Sequence, residues 1–286
     1  MSIRFPCKFG WLAGAGLALV LAGCNKIKLV YESSDWLLTY SVEDNFDLDK
    51  PQRALLKEEV DAYFHWHRKE LLPVYADFAT FVADSLRNGM RPSEVDSGYA
   101  RYRELYRMTM EPALDKSVNL LVSLSPEQVD QWLEHVHKKN AKMHKDFSGS
   151  LEERLDHRYA KIVDELEDWT GKLTKDQKAR IKALNHTLPW NGNLRLEVRE
   201  KVQEHLGDIL RKKAPREEVR AYLANYLLDT DSLKSEEYRI RNHDFQVRLK
   251  IMIYQIHNLL TPEQKRRAIQ QVEKLATEFR ALSAQE

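Results

Sequence analysis

The chain has 286 residues, and its 45 basic and 44 acidic side chains leave a formal charge of +1. That balance, with no long basic block, argues against nucleic acid as a partner, because phosphate binding needs a clustered basic surface. Charged residues make up 31% of the chain and glycines number only ten, which is helical composition and suggests long, solvent-lined helices more than a compact globule.

At the N-terminus, Arg4 and Lys8 precede an apolar run from Gly10 to Gly23, with no acid among them. This is the layout of a signal peptide. The run would be about 21 Å long as a helix, short of the roughly 20 residues that a bilayer core requires. It ends in Leu21-Ala22-Gly23-Cys24, which resembles the lipobox of bacterial lipoprotein precursors. The resemblance implies cleavage before Cys24, with Leu21, Ala22 and Gly23 recognised by the signal peptidase and the Cys24 thiol carrying lipid. More than one acyl chain on that residue satisfies the requirement for stable anchoring, since a single chain binds reversibly. Asn25 stands where the inner-membrane retention signal has aspartate, so the resemblance implies the outer membrane, facing the periplasm.

Cleavage removes Arg4, Lys8 and Cys7, which turns the formal charge to −1 and leaves Cys24 as the one mature cysteine. An internal disulfide is thereby excluded despite the oxidising compartment, and stability has to come from packing. Residues 24–45 read as the lipidated N-terminus and a short tether or lid. Fewer than about 20 Å of extended chain separate Cys24 from Leu29-Val30-Tyr31, so the fold must sit close to the lipid surface. Asp35-Trp36-Leu37-Leu38 reads as part of the core rather than as an interfacial anchor, because a capped helix that needs a lid follows at once.

The helical domain spans residues 46–286, and one local pattern recurs in it: Leu48-Asp49-Lys-Pro-Gln52, Leu124-Ser125-Pro-Glu-Gln128, Leu173-Thr174-Lys-Asp-Gln177 and Leu260-Thr261-Pro-Glu-Gln264. Each reads as a helix start. Asp49, Ser125, Thr174 and Thr261 are N-caps whose side-chain oxygen takes a free amide hydrogen, the Gln reaches back to complete a capping box, and the Leu staples onto the first turn. Two further starts, at Pro92 and Pro215, fall between them. The order Leu48, Pro92, Leu124 and then Leu173, Pro215, Leu260 is that of two related three-helix halves, 46–169 and 170–286. The competing explanation is that capping boxes are common in any helical protein.

From Glu127 to Trp169 an apolar stripe through Val129, Trp132, Val136, Met143, Phe147, Leu151, Leu155, Tyr159, Ile162 and Leu166 predicts one long amphipathic helix, or two separated near Gly149. The stretch Leu188-Pro189-Trp190-Asn191-Gly192-Asn193 predicts a loop. Phe245 to Leu260 is apolar on most sides, which predicts a central, buried helix.

The segments Asp35-Trp36-Leu37-Leu38, Asp44-Asn-Phe46-Asp-Leu48 and Trp66-His67-Arg68-Lys-Glu70-Leu-Leu-Pro73-Val-Tyr75 resemble an uncharacterised family of Gram-negative lipoproteins known only as a domain of unknown function. That resemblance implies a lipoprotein of helical fold and supplies no activity. The capping pattern also resembles the LTxxQ motif of small periplasmic stress chaperones that form cradle-shaped helical dimers. Residues 173–177 and 260–264 match it fully, while Asp49 and Ser125 replace its threonine.

Chemistry-bearing clusters are sparse. His65 with His67, and His135 with His137, lie near Glu58, Glu59, Glu134 and His144, but residues two apart on a helix point about 200° away from each other. No metal site is expected, and no cofactor, since neither a cysteine ligand set, a His-Glu-x-x-His motif nor a phosphate loop occurs. Ser33, Ser34, Ser148 and Ser150 lack a strand-to-helix elbow, so no catalytic residue is assigned. Asp164 and Asp168 read as a charged helix face. Arg101, Arg103 and Arg107, like Arg239 and Arg241, interleave with Tyr102, Tyr106 and Tyr238, and are expected to snorkel over aromatic surface rather than line an anionic groove.

The expectation is an all-α, elongated helical bundle with long amphipathic helices. Its role is expected to be non-enzymatic binding, scaffolding or chaperone-like work. Its partners would be the membrane, through lipid on Cys24, and other envelope proteins. The alternative is an envelope-acting hydrolase with a site assembled from distant helices. A concave polar pocket with converging acids would favour the enzyme, and a shallow mixed groove would favour binding.

Overall fold

A computed structural model describes residues 27–229 and 231–285. Among the described residues every regular element is a helix, and the protein is an all-α bundle. The lipobox residues Leu21, Ala22, Gly23 and Cys24, and Asn25 after them, lie outside the described residues.

Two short helices, α1 (Ile27–Glu32) and α2 (Ser34–Glu43), lead into α3 (Lys50–Trp66). A π-helical turn, His67–Leu71, joins α3 to α4 (Leu72–Arg87), so the three segments form one rod of roughly 55 Å. Pro73 accounts for the wide turn. Its ring has no N–H to donate one turn back and crowds the preceding carbonyls, and the ladder opens until Leu72 N–H reaches His67 O, five residues away.

Next come α5 (Pro92–Ser123), α6 (Pro126–Asp146) and α7 (Leu151–Thr170). The apolar stripe through residues 127–169 therefore belongs to two helices. Phe147 closes α6, and Ser150 starts α7 with its own capping box to Glu153, a local signal strong enough to end the continuous pattern. Gly171 stops α7 at φ +82°, a backbone geometry closed to most L side chains. The remaining helices are α8 (Lys175–Thr187), α9 (Gly192–Arg211), α10 (Arg216–Leu227), α11 (Glu236–Leu259) and α12 (Pro262–Ser283).

Asp49, Ser125, Thr174 and Thr261 are the N-caps of α3, α6, α8 and α12, each with a complete capping box. The leucine ahead of each cap is buried. The four glutamines do more than close their own boxes. Gln52 and Gln128 exchange amide hydrogen bonds of 2.9 and 2.7 Å, and each also donates to the carbonyl just before the other's leucine, Ser123 O at 2.9 Å and Asp47 O at 2.5 Å. Gln177 and Gln264 repeat this arrangement at 2.7 and 3.1 Å, donating to Leu259 O and Lys172 O. Every polar atom of these amides is thus satisfied, as burial requires for Gln52, Gln177 and Gln264; Gln128 is half-buried.

The helix packing repeats as well. Helix α12 lies along α4, where Ala76, Ala79 and Ala83 form a small-residue stripe that lets the two axes approach, and Tyr75 meets Phe279 edge-on at 5.7 Å. Helix α6 lies along α9 in the same way, and Gly207 permits it, because a Cβ there would stand 2.6 Å from Leu133 Cδ1. Along that seam Asp130 pairs with Arg211, His137 with Glu204 and His144 with Glu200, around a buried Asn140–Gln203 bond of 2.7 Å. Between the two seams α5 packs on α10 and α11.

One large core runs from α1 through α6 and on to α9, α10 and α12. A smaller one is shared by α7, α8 and α11, built on Val163, Ile181, Leu188, Met252 and Ile256. Helix α11 is therefore not the central buried helix that its composition predicts. It packs on α5 and α8 and shares the smaller core with α7, while Ile240, Val247, Ile251 and Ile253 are exposed. Trp36 likewise lies outside the core and is exposed, while Leu38 of the same helix packs inward.

Candidate functional site

Among the described residues, α11 carries four of the large apolar side chains that packing leaves exposed, Ile240, Val247, Ile251 and Ile253, the first three of them on its outer face. Ile240, Asp244, Val247, Arg248 and Ile251 lie within about 100° of one another around the helix axis, so they form a single stripe. Ile240 is 62% exposed and Ile251 50%, and Asp244 binds Arg248 at 2.7 Å between them. Asp244 and Arg248 also line an open depression whose other walls are Leu151 and Leu155 of α7, His186 and Thr187 at the end of α8, and the loop Leu188-Pro189-Trp190. Stripe and depression make one continuous surface, apolar along its length and polar at its middle.

Its wall is held rigidly. Arg158 of α7 plugs the C-terminal end of α8: its guanidinium donates to Asn185 Oδ1 and Asn185 O at 2.7 Å, to Leu188 O at 2.9 Å and to Pro189 O at 3.1 Å. A cation at the carbonyl end of a helix satisfies groups that lack helical partners and complements the dipole. Partial burial pulls the Arg158 pKa below its ordinary value. Asn185 is fully buried and donates to Leu155 O at 2.8 Å, tying α8 to α7. Trp190 meets Phe147 edge-on at 5.3 Å, and Arg154 lies over its ring at the same distance.

A second polar cluster lies inside the bundle, at the π turn. His67 is buried and its Nδ1 shares a hydrogen bond of 3.0 Å with the Tyr31 hydroxyl. Phe64, Tyr63 and Tyr75 surround it, and the hydroxyls of Tyr63 and Tyr75 bond to Thr109 of α5 at 3.1 and 2.6 Å. Burial pushes the His67 pKa down to about 4 and the Tyr31 and Tyr75 pKa values up to about 12, the Tyr31 rise being partly offset by Arg68. At neutral pH the whole cluster is uncharged. Buried between α1, the rod and α5, it fastens α1 to the rod.

The other residues weighed from sequence are dispersed. His65 is exposed while His67 points inward, as their spacing demands. Glu59 binds Lys116 and Asn119 of α5 at 2.9 and 2.7 Å, and Glu134 binds Lys138 at 2.6 Å. Arg101 stacks over Phe81 at 4.2 Å, and Arg107, Arg239 and Arg241 pair with glutamates of their own helices. Ser34 and Ser148 donate to nearby backbone carbonyls, and Asp164 and Asp168 are exposed on α7. Among the described residues no three His, Cys, Asp or Glu side chains are placed to hold a metal ion.

Fold and surface together define an all-α bundle with a shallow, mixed face on one outer helix. Residues 44–239 match a family of unknown function, DUF6279, and the chain belongs to that family. No curated protein and no solved structure matches it. The matched span takes in the paired helix starts of the first half and ends at the first turn of α11, ahead of Val247 and Ile251.

Proposed function

We propose that the protein is a lipoprotein of the outer membrane, facing the periplasm and anchored by lipid on Cys24, and that its work is non-enzymatic: binding or scaffolding of envelope proteins, with a chaperone-like mode among its forms. The anchoring rests on Leu21-Ala22-Gly23-Cys24 and on Asn25 after it. The binding role rests on the outer face of α11, whose exposed isoleucines and central Asp244–Arg248 pair suit an extended apolar segment with polar groups at intervals. The likeness to LTxxQ chaperones and descent of the two halves from one duplicated unit belong to the same reading. They are supported by the two glutamine pairs, which use equivalent positions of each half.

Two measurements test it. Cells fed a clickable fatty acid should label the wild type and leave Cys24→Ala unlabelled and still carrying its signal; equal label in both removes the lipoprotein reading. A photoreactive side chain at Ile251 of the membrane-bound protein should capture specific envelope proteins, and Ile240→Glu together with Val247→Glu should lower that capture at least tenfold, with an unrelated helical lipoprotein as the control. Turnover of peptidoglycan, ester or phosphoester substrates that vanishes on changing one acid or histidine would replace binding by hydrolysis.

A further inference from the structure

Helix α2 turns two aromatic rings to solvent, Trp36 at 64% exposure and Tyr40 at 56%. Four residues apart, they share a face and stack with centroids 5.6 Å apart and planes 17° from parallel. The other face of the same segment is docked. Tyr31 closes over His67, and Val30, Leu38 and Val42 pack on the large core. The rings are thus presented by a fixed helix rather than carried on a loose arm.

We infer that this face is where the folded domain rests on the lipid bilayer, with Trp36 and Tyr40 seated at the level of the headgroups; this rests on the lipidation of Cys24 proposed above. The length of chain ahead of α1 selects that occupant. Three peptide units join Cys24 to Ile27, so at full extension the acylated residue lies within about 11 Å of the first turn of α1. Trp36 follows nine residues on, about 14 Å if α1 and α2 ran straight on from one another and less where the chain turns between them at Ser33. The surface into which the acyl chains insert is therefore always within reach of α2. The side chains match it as well, because Trp and Tyr combine an apolar body with a polar tip and collect at membrane–water interfaces. Charge does not draw the helix there. Asp35, Glu43 and Asp44 flank the rings, so the contact is with the interfacial layer itself and needs no anionic headgroup.

The test uses the processed, acylated protein in phosphatidylcholine vesicles whose acyl chains carry bromine close to the headgroup. The mass of the N-terminal peptide from the same sample reports the lipid on Cys24 independently. Shallow bromine should quench a definite share of the tryptophan emission, and Trp36→Phe should abolish that share while leaving the melting curve unchanged. Equal quenching in acylated wild type and acylated Trp36→Phe overturns the membrane contact and leaves the lipoprotein reading standing. A dimer in the vesicles that Trp36→Ala dissociates assigns the face to a second copy and overturns it also. An unacylated Cys24 overturns both.

Discussion

At the scale of single residues, His67 ties the N-terminal segment to the rod, and burial makes that tie dependent on pH. Its imidazole titrates near 4 in the folded protein against an ordinary 6.5, so between those values the unfolded chain takes up a proton that the folded chain refuses. The stabilisation is complete above about pH 6.5, declines as pH falls, and is gone below about pH 4. The shift corresponds to about 3 kcal/mol. Urea midpoints between pH 7 and 4 should therefore fall more steeply for the wild type than for His67→Phe, by an amount of that order. The variant starts lower, since it also loses the Tyr31 hydrogen bond, worth about 1 kcal/mol. Identical slopes would mean that water reaches the imidazole.

At the scale of elements, the helix starts were legible because a capping box is written in four consecutive residues and needs nothing from the rest of the chain. Asp49, Ser125, Thr174 and Thr261 all stand at helix starts. What local pattern does not carry is the partner of each glutamine, which lies 76 residues away for Gln52 and 87 for Gln177. The exposure of α11 was hidden for a related reason: composition reports how apolar a helix is, not how many neighbours it finds. The stripe through residues 127–169 leaves open one helix or two near Gly149, and the structure decides for two because Ser150-x-x-Glu153 is itself a capping signal. The glutamine pairs give a separate prediction. Gln177→Ala strips hydrogen bonds from Thr174 N, Leu259 O and the Gln264 amide together, and leaving such groups buried and unpaired should cost about 3 kcal/mol. Thr174→Ala should cost about 1 kcal/mol. A double-mutant cycle of Gln177→Ala with Gln264→Ala should show coupling of about 1 kcal/mol, whereas strictly additive losses would reduce the pair to two independent caps.

At the scale of the whole molecule, the packing crosses between the halves. Helix α6 of the first half buries its apolar face against α9 of the second, and α12 of the second lies along α4 of the first. The large core belongs to both halves: Leu206, Ile209 and Leu210 of α9, and Val272, Leu275, Phe279 and Leu282 of α12, share one cluster with Tyr75, Val129, Trp132 and Val136, while the smaller core of α7, α8 and α11 lies wholly after residue 149. A chain cut in the short connection Phe147-Ser148-Gly149, where α6 ends and α7 has not begun, should therefore behave as two parts of one fold. Expressed separately, residues 25–148 should show weak helicity and no cooperative melting, and residues 149–286 should keep only the helicity of α7, α8 and α11 around the smaller core, since each leaves its faces of the large core bare. Mixed together they should regain the helical signal of the intact chain and form a one-to-one complex in native mass spectrometry. Gly207→Leu should oppose that association, because the close approach of α9 to Leu133 leaves no room for a side chain. Two fragments that each melt cooperatively and ignore one another would show that the seams α4–α12 and α6–α9 join finished domains, and the crossed core would have to be given up.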